Sequence, residues 1–185
     1  MDYTTAAYVN SVQGKDGYLN ADRVAHLKNA IGVIRSSGYP NANGMANDLS
    51  SMLERAQIYV DPDLDASTHG LTPMVPWYTA KYNVSVNLNP SLFKDDYLSK
   101  RQNHSPKTNW ENDAELSITL VHEYQHAFKQ GDWWGLIHKN EKEDRAYAAA
   151  QHYINTLRQR DPMHVGQPFF NEMLDQYVVP SNEPR

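Results

Sequence analysis

The chain contains no cysteine. Disulfide frameworks and thiolate metal sites are therefore excluded, and any transition-metal site has to be built from histidine and carboxylate. No apolar run approaches the roughly 20 residues that a membrane-crossing helix needs. The opening Met1-Asp2-Tyr3-Thr4-Thr5 carries neither a basic stretch nor an apolar one, so no signal peptide is read there. Positive charge is not in excess: 17 Lys and Arg against 22 Asp and Glu give a net charge of −5. That balance argues against nucleic acid or an anionic membrane as the main partner, because both select basic faces. Internal repeats and low-complexity tracts are absent. Phenylalanine is scarce, with four residues against twelve Tyr and four Trp. Amphipathic rings of this kind suit partly wet surfaces, whether a substrate groove or the rim of a small core.

What remains is 185 residues, 40% hydrophobic and 21% charged. These proportions fit one compact domain over residues 1–185 with a core of its own. Val24, Leu27, Ile31 and Ile34 recur at steps of three and four, which predicts an amphipathic helix over 20–37. Asn20 or Asp22 can cap its start, and Gly38 followed by Pro40 ends it. A second helix is expected over 44–56, then a short strand at Ile58-Tyr59-Val60 stopped by Asp61-Pro62. Residues 61–73 read as a loop. A hairpin is expected next, with arms over 75–81 and 83–89. In the second arm Val84, Val86 and Leu88 alternate with Ser85, Asn87 and Asn89, the period of a half-buried strand. Helices follow over 109–130, 139–160 and 169–177, separated by Gly131 and Asp161-Pro162. The pattern is α+β, with a small mixed sheet.

The third of these five helices carries His122-Glu123-Tyr124-Gln125-His126. Two histidines four residues apart on a helix project from one face, one turn from each other, and both can reach a single ion. Glu123 lies about 100° round from His122, beside such an ion but out of position to ligate it. A carboxylate there can take a proton from metal-bound water, which is the physical content of the HExxH pattern. The preceding Leu116-Ser117-Ile118-Thr119-Leu120-Val121 is almost entirely apolar or small. It carries the motif into a core, where two histidines and a glutamate are costly unless something satisfies them.

A catalytic zinc takes three protein ligands and keeps a fourth position open. Downstream candidates for the third ligand are Asp132, His138, Glu141, Glu143, Asp144, His152 and His164. Helical phase favours Glu143, which falls on the stripe formed by Ala146, Tyr147, Ala150, Ile154 and Leu157. Glu141 and Asp144 fall about 200° and 100° away, toward solvent. His138, in the connecting loop, is the second choice.

His122-Glu123-Tyr124-Gln125-His126, followed seventeen residues later by Glu143-Asp144-Arg145-Ala146-Tyr147, resembles the gluzincin group of zincin metallopeptidases. The resemblance implies that His122, His126 and Glu143 bind Zn2+ and that Glu123 is the general base. It also implies a zincin-like fold in which an edge strand, here over 83–89, lies beside the active-site helix and receives substrate. One position departs from the group: four residues after the glutamate ligand an Asp often orients a ligand histidine, and here Tyr147 stands there. Its hydroxyl, or another acid such as Asp113, is left to fill that role. The order of elements further resembles compact bacterial toxin and effector metallopeptidases. That layout implies delivery into a target cell without a cleaved signal peptide, with cytoplasmic residence as the alternative, and an immunity or secretion protein as a further partner.

The activity expected from these residues is hydrolysis of peptide bonds in a protein or peptide substrate lying along Val84 to Leu88. Tyr147, His138 and His152 are candidates to stabilise the oxyanion, and Trp133-Trp134 either walls a subsite or caps the core. Two other readings use the same ligands: an amidase acting on peptidoglycan, and a non-catalytic module stapled by zinc, for which His138 would serve as a fourth ligand.

Overall fold

The computed structural model describes residues 19–65, 67–73, 84–93, 108–128, 139–160 and 167–178, without the side chains of residues 139, 140 and 167. Helix α1 (Ala21–Ser36) starts where the Asn20 side chain accepts the Arg23 amide at 2.8 Å, so of the two proposed caps Asn20 is the one used. It buries Val24, Leu27, Ala30, Ile31 and Ile34. The chain leaves the helix through Gly38 at φ +76°, a left-handed conformation that glycine adopts without strain. Helix α2 (Ala42–Glu54) begins two residues before the expected Gly44 and packs Met45, Ala46, Leu49, Met52 and Leu53 inward.

Strands β1 (Ile58–Val60), β2 (Gly70–Leu71) and β3 (Val86–Leu88) form a mixed three-stranded sheet in the order β1-β3-β2. β1 pairs parallel with β3, aligning Ile58 with Val86 and Val60 with Leu88, and all four side chains are buried. β2 pairs antiparallel, Gly70 against Leu88 and Leu71 against Asn87. This corrects the placing of the strand over 83–89 at the sheet edge. Among the described residues β3 is central, and it is β2 that forms the edge packed on the motif helix. Alternation reports which face of a strand is buried; it says nothing about which strands flank it. β2 itself escapes a sequence reading because it is two residues long and lies between His69 and Thr72-Pro73, amid loop signals. The other expected hairpin arm, 75–81, lies outside the described residues.

Helix α3 (Asn109–Phe128) is the centre of the molecule. Thr108 and Glu111 close a reciprocal cap at its start: the Glu111 amide donates to Thr108 Oγ1 at 3.2 Å, and the Thr108 amide to the Glu111 carboxylate at 2.6 Å. From Ala114 to Tyr124 every residue is buried, because α1, α2, α4 (Lys139–Arg160), α5 (Gln167–Gln176) and the sheet surround this stretch within one shared core. Two hydroxyls caught there are paired: Ser117 Oγ with the Tyr153 hydroxyl at 3.0 Å, and Thr119 Oγ1 with the Tyr177 hydroxyl at 2.9 Å. The Tyr124 hydroxyl donates to Asp48 Oδ2 at 2.7 Å, tying α3 to α2. The outcome is a helix-rich α+β fold whose central helix carries the motif and cannot turn about its axis without breaking these contacts. No helix among the described residues is long and apolar enough to cross a membrane.

Candidate metal centre

His122 and His126 emerge from the last turns of α3, on the side where α4 crosses it. Their Nε2 atoms stand 3.2 Å apart. Glu143, in the first turns of α4, places Oε2 3.6 Å from His122 Nε2 and 3.5 Å from His126 Nε2. Two nitrogens and an oxygen thus form a nearly equilateral triangle, a geometry open to direct test. With metal–ligand bonds of 2.0–2.1 Å, two ligand atoms of a tetrahedral zinc lie about 3.3 Å apart. The observed edges bracket that value, and two imidazoles with one carboxylate are a suitable donor set for zinc. The residues fit the ion.

Glu143 departs from expectation in one respect. Its side chain is 42% exposed, where the helical phase predicted a buried acid. The stripe of α4 does continue through Ala146, Ala150, Ile154 and Leu157, all buried, with Tyr147 partly so. At its first turn, however, the stripe runs off the core and onto the rim of a cleft. Hydrogen bonding to His122 and then to His126 holds the Glu143 carboxyl well below the usual carboxylate range, against the opposing effect of partial burial. Glu141 is exposed and Asp144 is partly so. His152 stacks edge-on against Tyr39 at 5.1 Å and takes no part in the cluster. Asp132, His138, His164 and the Trp133-Trp134 pair lie outside the described residues.

Glu123 is 3% exposed. Burial raises its pKa, and the neighbouring His122, a hydrogen bond from Thr72 and then His126 partly offset the rise. Thr72 Oγ1 donates to Glu123 Oε2 at 2.7 Å. A carboxylate so placed stays receptive to a proton at neutral pH more readily than one in water.

At His122 neither Tyr147 nor Asp113 takes the orienting role left open for them. Nδ1 of His122 is buried and has no hydrogen-bond partner among the described residues. Asp113 is paired with His26 at 3.7 Å. Tyr147 instead packs its ring against the His122 ring, centroids 4.8 Å apart, and the Tyr177 ring lies 5.7 Å away on the same imidazole. The imidazole is therefore fixed by ring packing. Burial, then the negative charges of Glu143 and Glu123, raise the Tyr147 pKa and keep its hydroxyl protonated.

These groups line a cleft of ≈ 660 Å³. Its opposite wall is Ser67 to Pro73, including β2, and its floor includes Thr119 and Tyr177. Contributors not foreseen include Gly70, Thr72, Lys142 and Tyr177. Tyr177 had a signal of a kind, since it continues the apolar stripe of Phe169, Phe170 and Met173, but that pattern announces core and not a cleft floor. Comparison with protein-family models, curated proteins and solved structures gave no significant match.

The triangle makes a direct prediction about its third corner. Glu143→Ala should weaken zinc binding by more than about a hundredfold, beyond the 10–100-fold typical of losing a group that only orients a ligand. Glu141→Ala and Asp144→Ala, on the same helix turn, should leave affinity within about threefold of the parent. Competition against a chromophoric chelator measures all three. Loss of zinc in Asp144→Ala with retention in Glu143→Ala would reverse the assignment.

Proposed function

We propose that this protein is a zinc-dependent endopeptidase of the gluzincin type. The observation that carries the reading is the three-donor triangle of His122, His126 and Glu143 opening onto a cleft, with the buried carboxylate of Glu123 beside it. The resemblance of His122–His126 and Glu143 to gluzincin ligands supports the same conclusion from sequence.

Zinc bound by His122, His126 and Glu143 would supply an acidified water and a Lewis acid for the scissile carbonyl. The chain's own groups do the rest. Glu123 takes the proton of the attacking water; Oε1 is the atom assigned to it, since Oε2 already accepts the Thr72 hydroxyl. The same carboxyl then gives that proton to the departing amine. Tyr147, protonated and lining the cleft, is the hydroxyl donor assigned to the developing oxyanion.

The expected substrate-binding strand is revised. β3 has β1 on one side and β2 on the other, so its main-chain groups are engaged. β2 pairs with β3 along one edge, and among the described residues no strand pairs with the other. Because β2 also walls the cleft, an extended peptide added alongside Gly70-Leu71 would carry its bonds past Glu123.

The test is zinc analysis of the purified protein, with hydrolysis of fluorescein-labelled casein measured before and after chelation and zinc return. Zinc-dependent cleavage of casein is the expected result. Digestion of peptidoglycan with casein untouched would replace the peptidase by an amidase. Zinc bound with no hydrolysis of either substrate would point to a structural staple.

A further inference from the structure

Glu123 is held by more than its own helix. Thr72 Oγ1 donates to its Oε2 at 2.7 Å and approaches its main-chain oxygen at 3.4 Å. On the other side of the carboxylate lies Gly70. A Cβ placed on Gly70 would fall 2.8 Å from Glu123 Oε1, 2.9 Å from Cγ and 3.1 Å from Cδ, inside van der Waals contact. Gly70 does not occupy the left-handed region, where among the described glycines only Gly38 is found. Glycine is thus required here for close approach and not for backbone conformation.

The platform bearing these two residues is itself anchored. Gly70 and Leu71 are paired with β3, and the Asn89 amide donates to His69 O at 2.9 Å. The buried Asn89 side chain donates through Nδ2 to Asp65 O and Thr68 O, each at 3.0 Å. The Asn-Pro pair that ends β3 therefore also ties down the loop leading to β2.

We propose that Gly70 and Thr72 are positioning residues for the Glu123 carboxylate: the Thr72 hydroxyl fixes one oxygen, and the bare Cα of Gly70 makes room for the other. The proposal rests on the reading of Glu123 as the general base. Its physical basis is that a carboxylate must be held close to a productive geometry to act, and a buried glutamate has three side-chain torsions to restrain. Ring packing restrains His122, and the Thr72 hydrogen bond together with the close approach of Gly70 restrains its neighbour. The edge strand assigned to substrate and the element orienting the base are the same stretch of chain.

The experiment uses the full chain loaded with zinc and fluorescein-labelled casein as substrate. Thr72→Val keeps shape and removes the donor. It should lower kcat roughly ten- to a hundredfold, the effect of losing one hydrogen bond to a charged group, with KM and zinc content unchanged. Thr72→Ser restores the donor and should recover kcat to within about threefold of the parent. Gly70→Ala should lower kcat at least as far as Thr72→Val, since the carboxylate has to move. A parental kcat in Thr72→Val, or a Thr72→Ser variant as impaired as Thr72→Val, overturns the positioning role and leaves the peptidase reading standing. A parent protein that binds zinc and cleaves neither casein nor peptidoglycan overturns the base assignment and this role with it. A readout free of catalysis is a double-mutant cycle in urea on metal-free protein. Thr72→Val should lower the unfolding midpoint more in the parent than in Glu123→Ala, where only the longer contact of Thr72 with the main-chain oxygen is left to lose. Equal shifts in both backgrounds overturn the contact.

Discussion

Glu123→Gln is expected to retain zinc and the parental fold while hydrolysis falls by roughly two to four orders of magnitude, the range over which a positioned general base acts. The amide matches the carboxylate in shape, so it fits beside Gly70 and still accepts the Thr72 hydroxyl through its oxygen. What it cannot do is take a proton from water. The variant should not lose stability either. Glu123 is 3% exposed and its pKa is raised chiefly by burial, so the fold bears a cost for the charged form that a neutral amide avoids. Thermal denaturation of the metal-free variant should give a midpoint equal to or above that of the parent. Near-parental turnover of casein by Glu123→Gln, with zinc in place, would remove Glu123 from the base role. It would leave the metal centre standing, because Glu123 contributes no corner of the triangle.

His122→Ala and His126→Ala address the triangle itself. Each removes one of three donors that lie 3.2 to 3.6 Å from one another. Each should therefore reduce zinc affinity by more than the roughly hundredfold attributable to a lost orienting contact. Hydrolysis should disappear together with the metal. The two variants should differ in stability. The His122 ring is packed against Tyr147 and Tyr177, and its residue is 8% exposed, so truncation leaves a cavity beside the Tyr177 contact. A midpoint loss corresponding to about 2–4 kcal/mol is expected there. His126, nearer the end of α3, should cost less. Removing zinc from the parent should lower its thermal midpoint, by an amount that grows with the concentration of free zinc before chelation. Metal content by elemental analysis, with melting curves in zinc and in chelator, checks all of this. Full zinc retention in the double variant would dissolve the assignment.

The sequence by itself determined the elements that carry the site. Helical spacing along Val24 to Ile34, around Leu116 to His126 and from Glu143 to Leu157 yielded α1, α3 and α4 nearly to their observed ends, since a buried stripe at steps of three and four has no other regular solution. The pairing of His122 with His126 is equally local: four residues along one helix bring two imidazoles together whatever the rest of the chain does. Phase also picked Glu143 from its neighbours, although not its 42% exposure, because phase indicates a direction and not how far the core extends along it. Tertiary structure decided everything that depends on closing a loop. The approach of Glu143 to both histidines needs α4 to cross α3 at one particular height, which spacing alone does not set. The exchange of β3 for β2 as the sheet edge is of the same kind, because hydrogen-bond neighbours in a sheet are chosen between segments far apart in sequence. So are the contacts of Thr72 and Gly70 with Glu123, about fifty residues away, and the packing of Tyr177 onto His122. A threonine after a two-residue strand and a tyrosine ending an apolar stripe have no local signature of such roles; they acquire them only when the chain brings these segments against α3.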